Sequence, residues 1–151
     1  MTARITLLID EPKWKKPASL SARLKKSVAA ALARAGKKDT SELTILLADD
    51  ARLKELNATF RGKKKATNVL SFPSDEPGYL GDVAIAFGVA QREARESGKP
   101  FSDHACHLAV HGVLHLLGYD HETDKDAREM EPLEVKILKD LGIADPYQVR
   151  T

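Results

Sequence analysis

His111-Gly112-Val113-Leu114-His115-Leu116-Leu117-Gly118-Tyr119-Asp120-His121 places three histidines at spacings of four and six residues. A helix over residues 103–117 puts His111 and His115 on one face, with Cβ atoms roughly 6 Å apart. Gly118 can then take the left-handed conformation that ends a helix. The reversal brings His121 back toward the first two rings. Three imidazole nitrogens suit a tetrahedral zinc whose fourth position stays open. That is the pattern of a catalytic site, because structural zinc is closed by four protein ligands.

Three of the five histidines fall in this run, with a helix-ending glycine between the second and third. The spacing is the His-x-x-x-His-x-x-Gly-x-x-His of zinc metalloproteases, in which the residue after the first histidine is a glutamate acting as general base. Here that residue is Gly112. The metal grip is present and the protease base is missing, which argues against a protease.

A chain of 151 residues with 42% hydrophobic and 30% charged side chains has the balance of a soluble globular protein with room for one core. A single domain over residues 1–151 is expected. No apolar stretch is long enough to span a membrane. The start, Met1-Thr2-Ala3-Arg4-Ile5, lacks the layout of a secretory signal. The cytoplasm is therefore the expected location. Cys106 is the one cysteine and reads as a small buried residue. The net charge of +2 is too small to argue nucleic-acid binding by itself. Lys13, Lys15 and Lys16 surround Trp14, and Arg61, Lys63, Lys64 and Lys65 form a second basic run. Such runs are usually solvated surface, and gain meaning only near the metal.

Residues 5–9 form an apolar run of strand length. Ser19 or Ser21 caps a helix with Leu20, Leu24, Val28, Ala31 and Ala35 on its apolar stripe, ended by Gly36. Residues 43–48 read as a buried strand. Asp49 or Asp50 caps a second helix, with Leu53, Leu56 and Phe60 on one face and Gly62 at its end. Residues 68–72 and 82–87 are two further strands, and a short charged helix covers about residues 89–97. Ser102 caps the histidine helix, whose opposite face (Ala105, Leu108, Ala109, Val113, Leu116) is apolar. A final helix carries Met130, Leu133, Ile137, Leu138 and Leu141, with Pro132 marking its first turn or kinking it. Helices between the first three strands favour parallel crossovers, and the last pair of strands is expected to be antiparallel. The fold class is α+β: a mixed four-stranded sheet packed by helices, with a zincin-like His-x-x-x-His helix beside it.

The histidine run resembles the signature of the YbeY family of bacterial endoribonucleases and ribosomal RNA maturation factors. Two further segments carry the same resemblance: Leu56-Asn57-Ala58-Thr59-Phe60-Arg61-Gly62 followed by Thr67-Asn68-Val69-Leu70-Ser71-Phe72-Pro73, and Leu80-Gly81-Asp82-Val83-Ala84-Ile85. Glu129-Met130-Glu131 and Leu141-Gly142 in the tail are similar too. The family often has Tyr, Asp and Pro where this chain has Phe60, Lys64 and Ala66, which makes the loop more basic without removing a ligand.

The resemblance implies one zinc per chain held by His111, His115 and His121, and a functional arginine at Arg61. It implies processing of 16S ribosomal RNA, especially its 3′ end, together with small-subunit maturation and ribosome quality control. Single-stranded RNA, the small ribosomal subunit and its assembly factors are the implied partners, and neither a membrane nor DNA is expected. The alternative is a non-catalytic, zinc-stabilised assembly factor that binds ribosomal RNA.

The chemistry is consistent with these roles. Zinc on three neutral imidazoles lowers the pKa of bound water to about 7. A guanidinium matches phosphate geometry and meets charge developing in the transition state. Lys63, Lys64 and Lys65 would attract the RNA backbone without reading sequence. Aromatics at 5% make extensive base stacking unexpected. Asp120 either holds a ligand histidine or caps the turn. Tyr119 packs on the helix or points at substrate. His107, one turn before His111, is expected to be a supporting residue, with a fourth ligand as the alternative. His104, one turn further off, is expected to be exposed.

Overall fold

The structure is a computed structural model that describes residues 4–35, 42–63, 65, 67–120 and 123–147. His121, Lys64 and Gly36 lie outside the described residues. Among the described residues nine strands and α-helices follow in chain order: β1 (Arg4–Ile9), α1 (Leu20–Arg34), β2 (Glu42–Ala48), α2 (Asp50–Arg61), β3 (Val69–Pro73), β4 (Tyr79–Ala86), α3 (Phe87–Glu96), α4 (Phe101–Leu116) and α5 (Asp124–Asp140). A 3₁₀ turn, Pro12–Lys15, precedes α1.

The strands form one mixed sheet in the order β1-β2-β4-β3. β1 and β4 run parallel to β2, and β3 pairs antiparallel with β4. The α+β class and the antiparallel last pair hold. The expected parallel crossover from β2 to β3 does not. The short connection between β3 and β4 makes them a hairpin, and β4 takes the slot beside β2. The crossover from β2 is thus completed by β4, and β3 is left at the edge, pointing the other way.

Side chains alternate across the sheet. Leu43, Ile45, Leu47, Val83 and Ile85 face one core with α1, α4 and α5, while Ala48, Leu70, Ala84 and Ala86 face a smaller one with Leu53 of α2. The 3₁₀ turn drives Trp14 into the main core, where its Nε1 donates to the Ala48 carbonyl at 2.9 Å and its ring packs on Phe87 and Phe101. Lys13, Lys15 and Lys16 are exposed and line no part of the site below.

Asp49 caps α2 by accepting from the Arg52 amide, and Gly62 ends it at φ 67°. Ser102 is not a cap. α4 begins at Phe101 with Pro100 as its N-cap residue, because Phe101 is drawn into the Trp14 aromatic cluster. Pro132 is not in a first turn but inside α5. Cys106 is buried, and burial pushes its thiol pKa up.

Candidate metal centre and RNA cleft

α4 lies across β3 and β4 so closely that its backbone nearly touches the sheet. A Cβ on Gly112 would stand 2.6 Å from Val83 Cγ1 and 3.2 Å from Val69 Cγ2. Ser71 Oγ donates to the Gly112 carbonyl at 2.8 Å. Position 112 therefore faces the sheet, and there is no room for a glutamate. The missing protease base reflects packing, not the loss of a group from the site.

The opposite side of α4 carries a row of imidazoles at His104, His107, His111 and His115, with neighbouring ring centroids 6.0, 6.2 and 4.6 Å apart. His111 Nε2 and His115 Nε2 are 3.0 Å apart. Gly118 has φ 98°, and the Tyr119 amide closes the turn onto the Leu114 carbonyl.

Beneath the row sits Glu134 of α5, with no solvent exposure. Its carboxylate faces His111 Nδ1 at 3.2 Å and His107 Nε2 at 2.6 Å, and accepts from the Tyr147 hydroxyl at 3.0 Å on each oxygen. Burial alone would raise its pKa, but the hydrogen bonds from His107 and His111 outweigh burial and hold it down at about 2. Burial and the neighbouring Glu134 push Tyr147 up, so its hydroxyl stays protonated and donates.

The donor chemistry fits a divalent cation. Two imidazole nitrogens stand close together, and one of those rings is backed by a carboxylate at its other nitrogen, as in many zinc sites. His107, His111 and Glu134 also bring ligand-type atoms within 4.8 Å of one another. In that second grouping the carboxylate oxygens are already engaged by three hydrogen-bond donors and shut off from solvent.

His111 and His115 open onto a cleft of about 1010 Å³. Arg61, Lys63 and Lys65 line the same cleft, as do Tyr119 and Asp120. Among the described residues of the second basic run, all three thus fall beside the histidines. Arg61 Nη2 donates to the Ser71 carbonyl at 2.8 Å, and its guanidinium lies 5.9 Å from the Phe72 ring centroid. Asn57, buried in α2, donates from its amide to the Lys65 carbonyl at 3.0 Å and so holds the basic loop against the helix. His104 is not exposed as expected. Its ring is mostly buried beside Glu93 at 2.9 Å, and burial lowers its pKa against the opposing carboxylate.

Glu134 and Tyr147 were not anticipated. One signal was present: Met130, Glu134 and Leu138 share a spacing of four, which puts a carboxylate on the buried stripe of α5. Nothing local marks Tyr147.

Residues 9–142 match the model of the family described as endoribonuclease YbeY. The chain belongs to that family. A Rhodopseudomonas palustris protein named endoribonuclease YbeY is 48% identical over 151 residues, covering 93% of this chain and 79% of that protein. One of the same name from Bradyrhizobium diazoefficiens is 48% identical over 149 residues, covering 91% and 81%. The solution structure of TM1509 from Thermotoga maritima aligns with a TM-score of 0.65 at 28% identity, covering 95% of this chain and 99% of that one. Within the YbeY fold, then, the histidine helix and Arg61 at the end of α2 meet across one cleft. No helix among the described residues is long and apolar enough to cross a membrane.

Proposed function

We propose that this chain is a metal-dependent endoribonuclease acting on single-stranded RNA. Its setting is 16S ribosomal RNA 3′-end processing, small-subunit maturation and ribosome quality control in the cytoplasm. The observation that carries the reading is the shared cleft: a close histidine pair and three cationic side chains line one groove in a member of the YbeY family.

His111, His115 and His121 are the proposed ligands of one zinc ion. When bound, such an ion supplies Lewis acidity and makes water at an open position more acidic. The remaining roles belong to the side chains. Arg61 meets the negative charge that gathers on the phosphodiester in the transition state. Its bond to the Ser71 carbonyl supports that role by fixing the guanidinium before substrate arrives. Lys63, Lys64 and Lys65 draw in the sugar-phosphate backbone without reading bases.

The test is cleavage of a single-stranded ribosomal RNA fragment by wild type, His115→Ala and Arg61→Ala, with and without a chelator. The expected result is one zinc per wild-type chain, and loss of cleavage on chelation and in His115→Ala. Arg61→Ala should be at least tenfold slower while still holding zinc. Equal cleavage by every preparation would mean a contaminating nuclease. Tight RNA binding with no cleavage by zinc-loaded wild type would favour the non-catalytic assembly factor instead.

A further inference from the structure

Glu134 costs the fold more than an apolar residue would. A carboxylate without solvent exposure must recover its lost hydration from neighbouring donors. Here it does so from three side chains on two parts of the chain: His107 and His111 of α4, and Tyr147 beyond α5. The Tyr147 ring stands edge-on to His107 at 5.6 Å between centroids. The segment carrying it is fastened by Lys99 Nζ, which donates to the Pro146 carbonyl at 2.5 Å. Tyr147 itself lines the cleft and is 42% exposed.

We infer that Glu134, braced by His107 and Tyr147, is the positioning residue for His111. The inference rests on the reading of His111 and His115 as cation ligands. By accepting a hydrogen bond from Nδ1, the carboxylate fixes both the ring orientation and the tautomer of His111. The lone pair is then left on Nε2, the nitrogen that stands beside His115. Tyr147 holds the carboxylate from its other side. The segment after α5 thereby becomes part of the metal centre, although it supplies no ligand.

The experiment measures zinc affinity by competition with a chromophoric chelator, and the His111 tautomer from imidazole nitrogen chemical shifts in the zinc-free protein. Glu134→Gln is expected to bind zinc about 10–100-fold more weakly, with the His111 signals moving toward a mixture of tautomers. Tyr147→Phe keeps the ring and removes only the hydroxyl. It should fold normally and weaken zinc several-fold, so the inference stays decidable even if Glu134→Gln fails to fold. Affinity within twofold of wild type for Tyr147→Phe, with an unchanged tautomer, would overturn it. So would abolished zinc binding in Glu134→Gln alongside retained binding in His115→Ala, because Glu134 would then be a ligand. Tight zinc binding by both His111→Ala and His115→Ala is a separate outcome. It defeats the ligand reading, and the inference with it.

Discussion

A methyl group at position 112 has nowhere to go. With Val83 Cγ1 at 2.6 Å and Val69 Cγ2 at 3.2 Å, Gly112→Ala must push α4 away from the sheet. A loss of roughly 1–3 kcal/mol is expected, read as a lower urea midpoint. The spacing of His111 and His115 is a property of the helix period, so the pairing of their rings could be seen in the chain. So could the left-handed Gly118. What position 112 faces depends on Val83 of β4 and Val69 of β3, both distant in the chain, so a glycine that looks locally like a chemical absence is a packing requirement. Glu134 and Tyr147 escaped for the same reason: they reach the histidines across long stretches of chain. Arg61 was singled out by resemblance, and its hold on the Ser71 carbonyl is visible only once β3 is in place.

Among the elements, helix ends with local causes were legible, such as the Asp49 cap and the Gly62 stop. The start of α4 was not, because Phe101 is recruited by the aromatic ring of Trp14, far away in sequence. Sheet order was also hidden, since β-strand propensity does not say which strand lies next to which. α5 tolerates Pro132 in its interior, although proline removes a helical hydrogen bond there and crowds the preceding turn. Pro132→Ala restores the amide that can bond to the Arg128 carbonyl. Position 132 is exposed, so no core contact is lost. The expected gain is roughly 1–3 kcal/mol, seen as a higher thermal midpoint with zinc affinity unchanged.

For the whole molecule, charge placement matters more than the net +2. Arg61, Lys63 and Lys65 sit at one cleft, so RNA affinity should fall steeply with salt. Lys65→Ala, which removes one of the proposed phosphate contacts, should reduce the slope of log affinity against log salt by about 0.7. Acid should act through Glu134. Its carboxyl is held at about 2 against an ordinary 4.5, so the folded state favours the charged form. That contribution is complete above about pH 4.5 and disappears as pH falls toward 2. Urea unfolding of zinc-free protein at about pH 5 and about pH 2.5 should therefore show a larger acid loss for wild type than for Glu134→Gln.

The antiparallel edge strand has a consequence of its own. The Asn68 carbonyl accepts from the Ala86 amide, so by alternation the backbone groups of Ser71 turn outward, away from β4. An open strand border of this kind invites another chain to zip onto it. The Arg61 guanidinium occupies that carbonyl and so covers part of the border. Removing it should leave a protein that clumps more readily as concentration rises, which light scattering would register even without any RNA in the tube.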